Sequence, residues 1–166
     1  MIVHLSDRPL DVSTLAGQAT VRQEQDATQL FLSRFPTLGF IATDKRTSSL
    51  VDGFVTKRDV VTCAVETKCR TMSTEDLFGR FNAEMLVAYD KISNARELCF
   101  ALKISLLLWF YLPTERTLLV QKVCDERGVF STPVRLESLT TQATVNGGTK
   151  FTTNAFINVR NAVVIK

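Results

Sequence analysis

The chain has 166 residues, 45% of them hydrophobic and 22% charged, with a net charge of +3. That length suits one domain with a real core and is short for two, and the composition is that of a soluble globular protein. The mildly basic balance (pI near 8.8) permits a polyanionic partner without requiring one.

Residues 1 to 12 read as an irregular lead-in, with Pro9 as a breaker and His4 as a terminal surface residue. From Ser13 to about Phe35 the pattern is helical. Ser13 or Thr14 is the cap and Pro36 the stop, while Gly17 weakens the first turns and shifts the expected start toward Thr20. Ala27, Leu30, Phe31 and Phe35 form an apolar stripe, and Glu24 falls on it. An acid there is either held on the buried side or rotated into water beside Gln23, Gln25 and Asp26. Leu38 to Thr43 reads as a strand, Asp44 to Ser49 as a polar turn, and Leu50 to Val55 as a second strand carrying Asp52. The basic turn Thr56-Lys57-Arg58-Asp59 leads into a third strand, Val60 to Arg70, which implies an antiparallel hairpin.

Ser73 or Thr74 opens a second helix with Glu75 and Asp76 in its first turn. Phe78, Phe81, Met85, Ala88 and Ile92 recur at helical spacing, with Tyr89 and Lys91 at the edge of that stripe. The helical pattern resumes from Ala95 to about Leu102. Ile104 to Leu112 is the most apolar run. It is too short for a membrane helix, which needs roughly 20 apolar residues, and reads as a buried central strand. Pro113 to Arg116 turns the chain, Thr117 to Cys124 returns as a strand, and Asp125 to Gly128 turns again. From Val129 the tail is β-leaning. Asn146-Gly147-Gly148 marks a turn between Gln142–Val145 and Thr149–Thr152, and short strands are expected at Ala155–Val159 and Ala162–Ile165. This order predicts a single α/β domain, residues 1–166: a central mixed sheet flanked by helices, with a β-rich C-terminal extension.

The stretch Val60–Arg70 carries the chemistry. On a strand, successive side chains point to opposite faces. Val61, Cys63, Val65, Thr67 and Cys69 therefore share one face, and Glu66, Lys68 and Arg70 the other. Metal-assisted phosphodiester cleavage needs hard oxygen ligands, an activated water and positive charge where the transition state becomes negative. Asp52 and Glu66 supply carboxylates, and the Thr67 backbone carbonyl offers a further ligand. Lys68 is placed to orient the water or stabilise the transition state. Arg70, Lys57 and Arg58 are candidates for contact with a nucleic-acid backbone, or plain solvated charges.

Other chemistries find no support. The cysteines Cys63, Cys69, Cys99 and Cys124 form no CxxC and have only His4 as a histidine, which argues against zinc and for free thiols. The start MIVHLSDRP lacks the features of an export signal, so a cytoplasmic, reducing location is expected, with no membrane association. No serine sits in GxSxG, and no P-loop or dinucleotide fingerprint calls for an organic cofactor.

Asp52 followed by Glu66-Thr67-Lys68 on the next strand resembles the PD-(D/E)xK nuclease superfamily. The order of elements over about residues 20–124 also resembles that family's restriction-endonuclease-like core. Val51 stands where the proline of the motif's name would be. The resemblance implies Mg²⁺ or Mn²⁺ dependence, Glu24 as a further metal ligand from the first helix, and hydrolysis of DNA to a 5′-phosphate and a 3′-hydroxyl. The small size favours recognition of DNA structure or ends, by endonuclease or exonuclease action, or a homodimer placing two sites on two strands. Resolvase-like, restriction-type and small phage enzymes are all compatible with it. A second class stays open: a non-catalytic nucleic-acid-binding or assembly module, in which Glu66 and Lys68 form a solvent-facing ion pair on an edge strand, worth at most about 1 kcal/mol.

Overall fold

The computed structural model describes residues 11–140 and 151–166. Helix α1 spans Leu15–Arg34, with Thr14 as its cap. The Gly17 N–H donates to the Thr14 hydroxyl at 3.0 Å, and that hydroxyl donates to the Asp11 carbonyl at 2.8 Å. Gly17 does not delay the helix. A Cβ there would lie 2.0 Å from the Asp11 carbonyl oxygen, so the close approach of the preceding chain requires glycine. Strands β1 (Leu38–Ala42), β2 (Gly53–Lys57) and β3 (Val60–Cys69) then form an antiparallel meander. The β2–β3 turn is Arg58-Asp59, with φ of 50° and 62°, both in the left-handed region that suits a two-residue hairpin.

The second helix departs from expectation. Helix α2 is only Thr74–Phe78, capped by the Ser73 hydroxyl, which accepts from the Asp76 N–H at 3.0 Å. Asn82 and Ala83, with φ of 52° and 57°, reverse the chain into strand β4 (Glu84–Ala88), and helix α3 follows over Tyr89–Leu102. Met85 and Ala88 sit at helical spacing, but Met85 and Val87 are buried while Leu86 between them is exposed. That two-residue alternation belongs to a strand. Pairing with a distant partner decided between the two periods.

Strands β5 (Ser105–Leu112) and β6 (Thr117–Cys124) follow, then β7 (Val134–Thr140), β8 (Phe151–Asn158) and β9 (Val163–Ile165). The larger sheet has the order β1-β2-β3-β5-β6-β9, with β3 parallel to β5 and the other pairs antiparallel. A second, three-stranded sheet has the order β4-β8-β7, so β7 and β8 of the β-rich tail join β4 in a separate sheet and only β9 extends the main one. The expected strand at Ala155–Val159 is the end of the longer β8. The Asn146-Gly147-Gly148 turn, the Gln142–Val145 strand, His4 and Pro9 lie outside the described residues. Among the described residues the fold is mixed α/β, with a mixed sheet and three helices.

β5 is central, as its unbroken apolar run predicts, and together with β3 it divides the core. On one face Val55, Val65, Trp109, Tyr111 and Leu118 pack against Ala27 and Phe31 of α1. On the other, Ala64, Leu106, Leu108, Phe110 and Leu119 pack with Ile92, Ala95 and Cys99 of α3, and the cluster continues into Met85, Val87, Ala155 and Ile157 of the small sheet. Helix α3 is thus sandwiched between the sheets. All four cysteines are free, with Cys99 and Cys124 buried and Cys63 and Cys69 half-buried. Burial pushes the Cys69 and Cys99 thiols up to about 12. No helix among the described residues is long and apolar enough to cross a membrane.

Candidate functional site

β3 outruns β2, and the candidate site lies where it does so. The last rung of their ladder pairs Gly53 with Val65. Asp52 is not in the strand, as expected from sequence, but in a bend immediately before it. Its backbone N–H donates to the Val65 carbonyl at 2.9 Å, and its carbonyl accepts from the Thr43 N–H at 3.0 Å. Its Oδ2 accepts from the Thr67 N–H at 2.8 Å. The carboxylate thus takes the position that the next rung of backbone would have filled. On an extended strand the N–H and C=O of one residue leave on the same edge, so the Thr67 carbonyl faces the same opening.

Two neighbours hold the bend. Val51 is buried in the core, and its carbonyl accepts from the Thr43 hydroxyl at 2.8 Å. At Gly53 a Cβ would meet Cζ of Phe40 at 2.3 Å. Glycine lets that ring lie over the chain and stack on Trp109, with centroids 4.9 Å apart.

Glu66 and Lys68 share a face, and Lys68 Nζ lies 2.6 Å from Glu66 Oε1. Glu66 is only 2% exposed and Lys68 18%. β3 has no β2 partner beyond Val65, but the burial of Glu66 means that these residues do not form a solvent-facing ion pair. Lys91, on the first turn of α3, approaches the same Glu66 oxygen at 3.7 Å.

Glu24 comes from α1. It stands three residues before Ala27, as the stripe predicts, and is half-buried. Its partner is Lys45, in the connection between β1 and β2. Lys45 Nζ lies 2.9 Å from Glu24 Oε2 and 2.6 Å from Asp52 Oδ1. Burial pushes the Glu24 carboxyl up, and the Lys45 contact only partly offsets it. Burial also works against the charged form of Asp52, but there the Lys45 charge and the Lys45 and Thr67 hydrogen bonds win and hold the carboxyl below its ordinary value. Burial opposes the charge of Lys45 as well, and the two carboxylates more than compensate, raising it. The shorter contact and the lowered carboxyl agree that Lys45 belongs chiefly to Asp52.

Glu24, Asp52, Glu66, Thr67 and Lys68 therefore come from three separate segments to one end of β3. Arg70 does not join them: it is exposed past the strand end, its N–H donating to the Tyr111 carbonyl and its guanidinium to the Cys69 carbonyl. Lys57 and Arg58 are exposed at the far end of β2, five residues away, roughly 17 Å of extended chain. The geometry thus separates the expected nucleic-acid contacts of the hairpin turn from the acids. Neither Lys45 nor Lys91 stands out in the sequence as a site residue. Lys45 sits in a polar turn with no periodicity, and Lys91 was legible only as the edge of a helical stripe.

The carboxylates and the Thr67 carbonyl are hard oxygen donors of the kind Mg²⁺ and Mn²⁺ prefer, and Asp52 and Glu24 already aim oxygens at one cationic nitrogen. In that respect the donor set fits a divalent ion. Among the described residues, no group of three or more His, Cys, Asp or Glu side chains is gathered as a metal-holding cluster; ammonium groups are interleaved with the acids instead. Glu24, Asp52 and Glu66 are matched by Lys45, Lys68 and Lys91, so the site is close to neutral. The chain matches no protein-family model and no curated protein sequence.

Proposed function

We propose that this protein is a metal-dependent nuclease that hydrolyses DNA phosphodiester bonds at the open end of β3. The observation that supports the reading best is the hydrogen bond from the Thr67 N–H to Asp52. Thr67 stands between Glu66 and Lys68, so this single contact draws Asp52 to the ExK strand. Glu66 on that strand is an almost fully buried acid, and a buried ionised pair is a weak source of stability, which leaves function as the better reason to keep it.

In this reading Asp52 and Glu66 hold Mg²⁺ or Mn²⁺, with the Thr67 carbonyl and Glu24 as further ligands. The ion supplies Lewis-acid polarisation of the phosphate and a more acidic water. Lys68 orients the attacking water or stabilises charge on the phosphoryl oxygens. Water adds to phosphorus and the bond to the 3′-oxygen breaks, leaving a 5′-phosphate and a 3′-hydroxyl. Lys91, 41% exposed at the rim, adds positive charge on the α3 side. A homodimer would bring two such sites to two strands.

The test is cleavage of plasmid, linear, single-stranded and branched DNA with Mg²⁺, Mn²⁺ or EDTA. Metal-dependent cutting should fall by about 10² or more in Asp52→Asn and in Lys68→Ala, the usual scale for losing one group that stabilises the transition state. A second reading has an observation of its own: each acid of the site already has a lysine partner. That pattern suits a non-catalytic nucleic-acid-binding or assembly module. DNA binding that survives EDTA and is unchanged in Asp52→Asn, with no cutting by folded wild type, selects this second reading.

A further inference from the structure

We propose that Lys45 is a resident counter-cation which a divalent ion must displace, so that the connection between β1 and β2 controls metal loading of the site. The inference rests on the metal-dependent reading above and goes beyond it by assigning a role to a residue outside the family motif.

Lys45 bridges two carboxylates from different segments, α1 and the bend before β2, at 2.9 and 2.6 Å. One ammonium thus satisfies two of the carboxylates that would hold the metal in the proposed function. The loop that carries it is otherwise turned outward: Asp44 and every residue from Arg46 to Leu50 are exposed, and only Lys45 among them is half-buried. A surface loop that sends in a single lysine, on a flexible four-carbon stem, is built so that the charge can enter or leave without disturbing the core.

The charge balance points the same way. With its lysines in place the site has three negative and three positive side chains. A divalent ion at Glu24 and Asp52 would compete with the Lys45 ammonium already between them, with the charge of Lys68 acting on both carboxylates as well. With Lys45 withdrawn, three carboxylates face two lysines, and the site carries the net negative charge that draws in a cation. Once the ion has entered, the balance turns positive and suits a phosphodiester anion. Lys45 therefore couples an empty, self-neutralised site to a loaded one that attracts substrate.

The experiment is Mn²⁺ binding, followed by calorimetry and by the EPR signal of free Mn²⁺, without DNA. The proteins are wild type, Lys45→Met, Lys45→Arg and the double variant Lys45→Met/Asp52→Asn. Lys45→Met should bind Mn²⁺ about tenfold more tightly than wild type, the order expected when one competing partner is removed from a half-buried ion pair. Lys45→Arg, which keeps the charge, should bind no more tightly than wild type, and the double variant should lose the gain. Equal or weaker binding by Lys45→Met, with wild type binding normally, overturns the role of Lys45 and leaves the nuclease reading standing. If neither wild type nor Lys45→Met binds Mn²⁺, the metal-dependent reading falls and the counter-cation with it.

A measurement on wild type alone covers the case in which Lys45→Met does not fold. During Mg²⁺ titration the backbone amide signals of Asp44–Leu50 should shift together with that of Thr67. A shift at Thr67 with the loop signals unmoved overturns the proposal.

Discussion

The two ends of the β2–β3 hairpin carry the same kinds of side chain and meet opposite fates. At the turn end Lys57, Arg58 and Asp59 are exposed, and none of them forms an ion pair among the described residues. At the open end Glu66 is almost fully buried and Asp52, Lys68 and Lys45 are largely so. The difference is not in the residues. At the turn the sheet simply stops. At the open end β3 runs on beside β5, with α1 over one face and α3 over the other. Charges that cost nothing at one end must be paired at the other, because a buried unpaired charge is expensive.

The largest test of that contrast is Lys68→Ala. It leaves Glu66 with Lys91 alone at 3.7 Å, and should cost about 3 kcal/mol of stability, read as a lower urea midpoint. Replacing both partners, Glu66→Leu with Lys68→Met, should recover most of that loss while cleavage stays abolished. At the turn end Lys57→Ala should stay within about 0.5 kcal/mol of wild type. Equal costs for Lys57→Ala and Lys68→Ala would break the comparison.

Next in size is Gly53→Ala at the open end, where the added Cβ meets Cζ of Phe40 at 2.3 Å and the Ile41 carbonyl oxygen at 2.7 Å. Overpacking of this kind should cost about 2 kcal/mol. Because Asp52 is the preceding residue, the same variant should lose cleavage even at temperatures where it remains folded. Its mirror at the turn end is Asp59→Gly. Asp59 holds φ of 62°, where glycine is free of the Cβ penalty, so this variant should add about 1 kcal/mol of stability, read as a higher urea midpoint. The smallest expected effect belongs to Arg58→Ala and Lys57→Ala in the cleavage assay. Both should cut at the wild-type rate, since neither reaches the acids; a drop to the level of Asp52→Asn would show that the turn contacts substrate after all.

How much of this was legible depends on whether the signal was local. The Thr14 cap of α1, the stripe of Ala27 and Phe31, the hairpin turn and the buried run of β5 all follow from the spacing of neighbours along the chain, whereas the start at Leu15 rather than near Thr20 does not. So does the shared face of Glu66 and Lys68, since alternation on a strand needs only the strand. The Met85–Ile92 stretch misled because its residues satisfy a helical stripe as well as a two-residue alternation. Glu84 through Ala88 became a strand only because Asn154 through Asn158 were there to pair with it. Lys45 carried no local mark at all; its importance lies in two carboxylates from other segments.

By itself, then, the sequence determined the elements that a single period can specify, and the shared face of Glu66 and Lys68 on β3. Only the tertiary structure decided that β3 would be covered on both faces, that Asp52 would leave the strand to bind Thr67, and that Lys45 would fold in between Glu24 and Asp52. The reason is physical. Periodicity is a property of consecutive residues, whereas burial and ion pairing are properties of segments brought together by the fold, and the desolvation that makes these charges matter exists only once they have met.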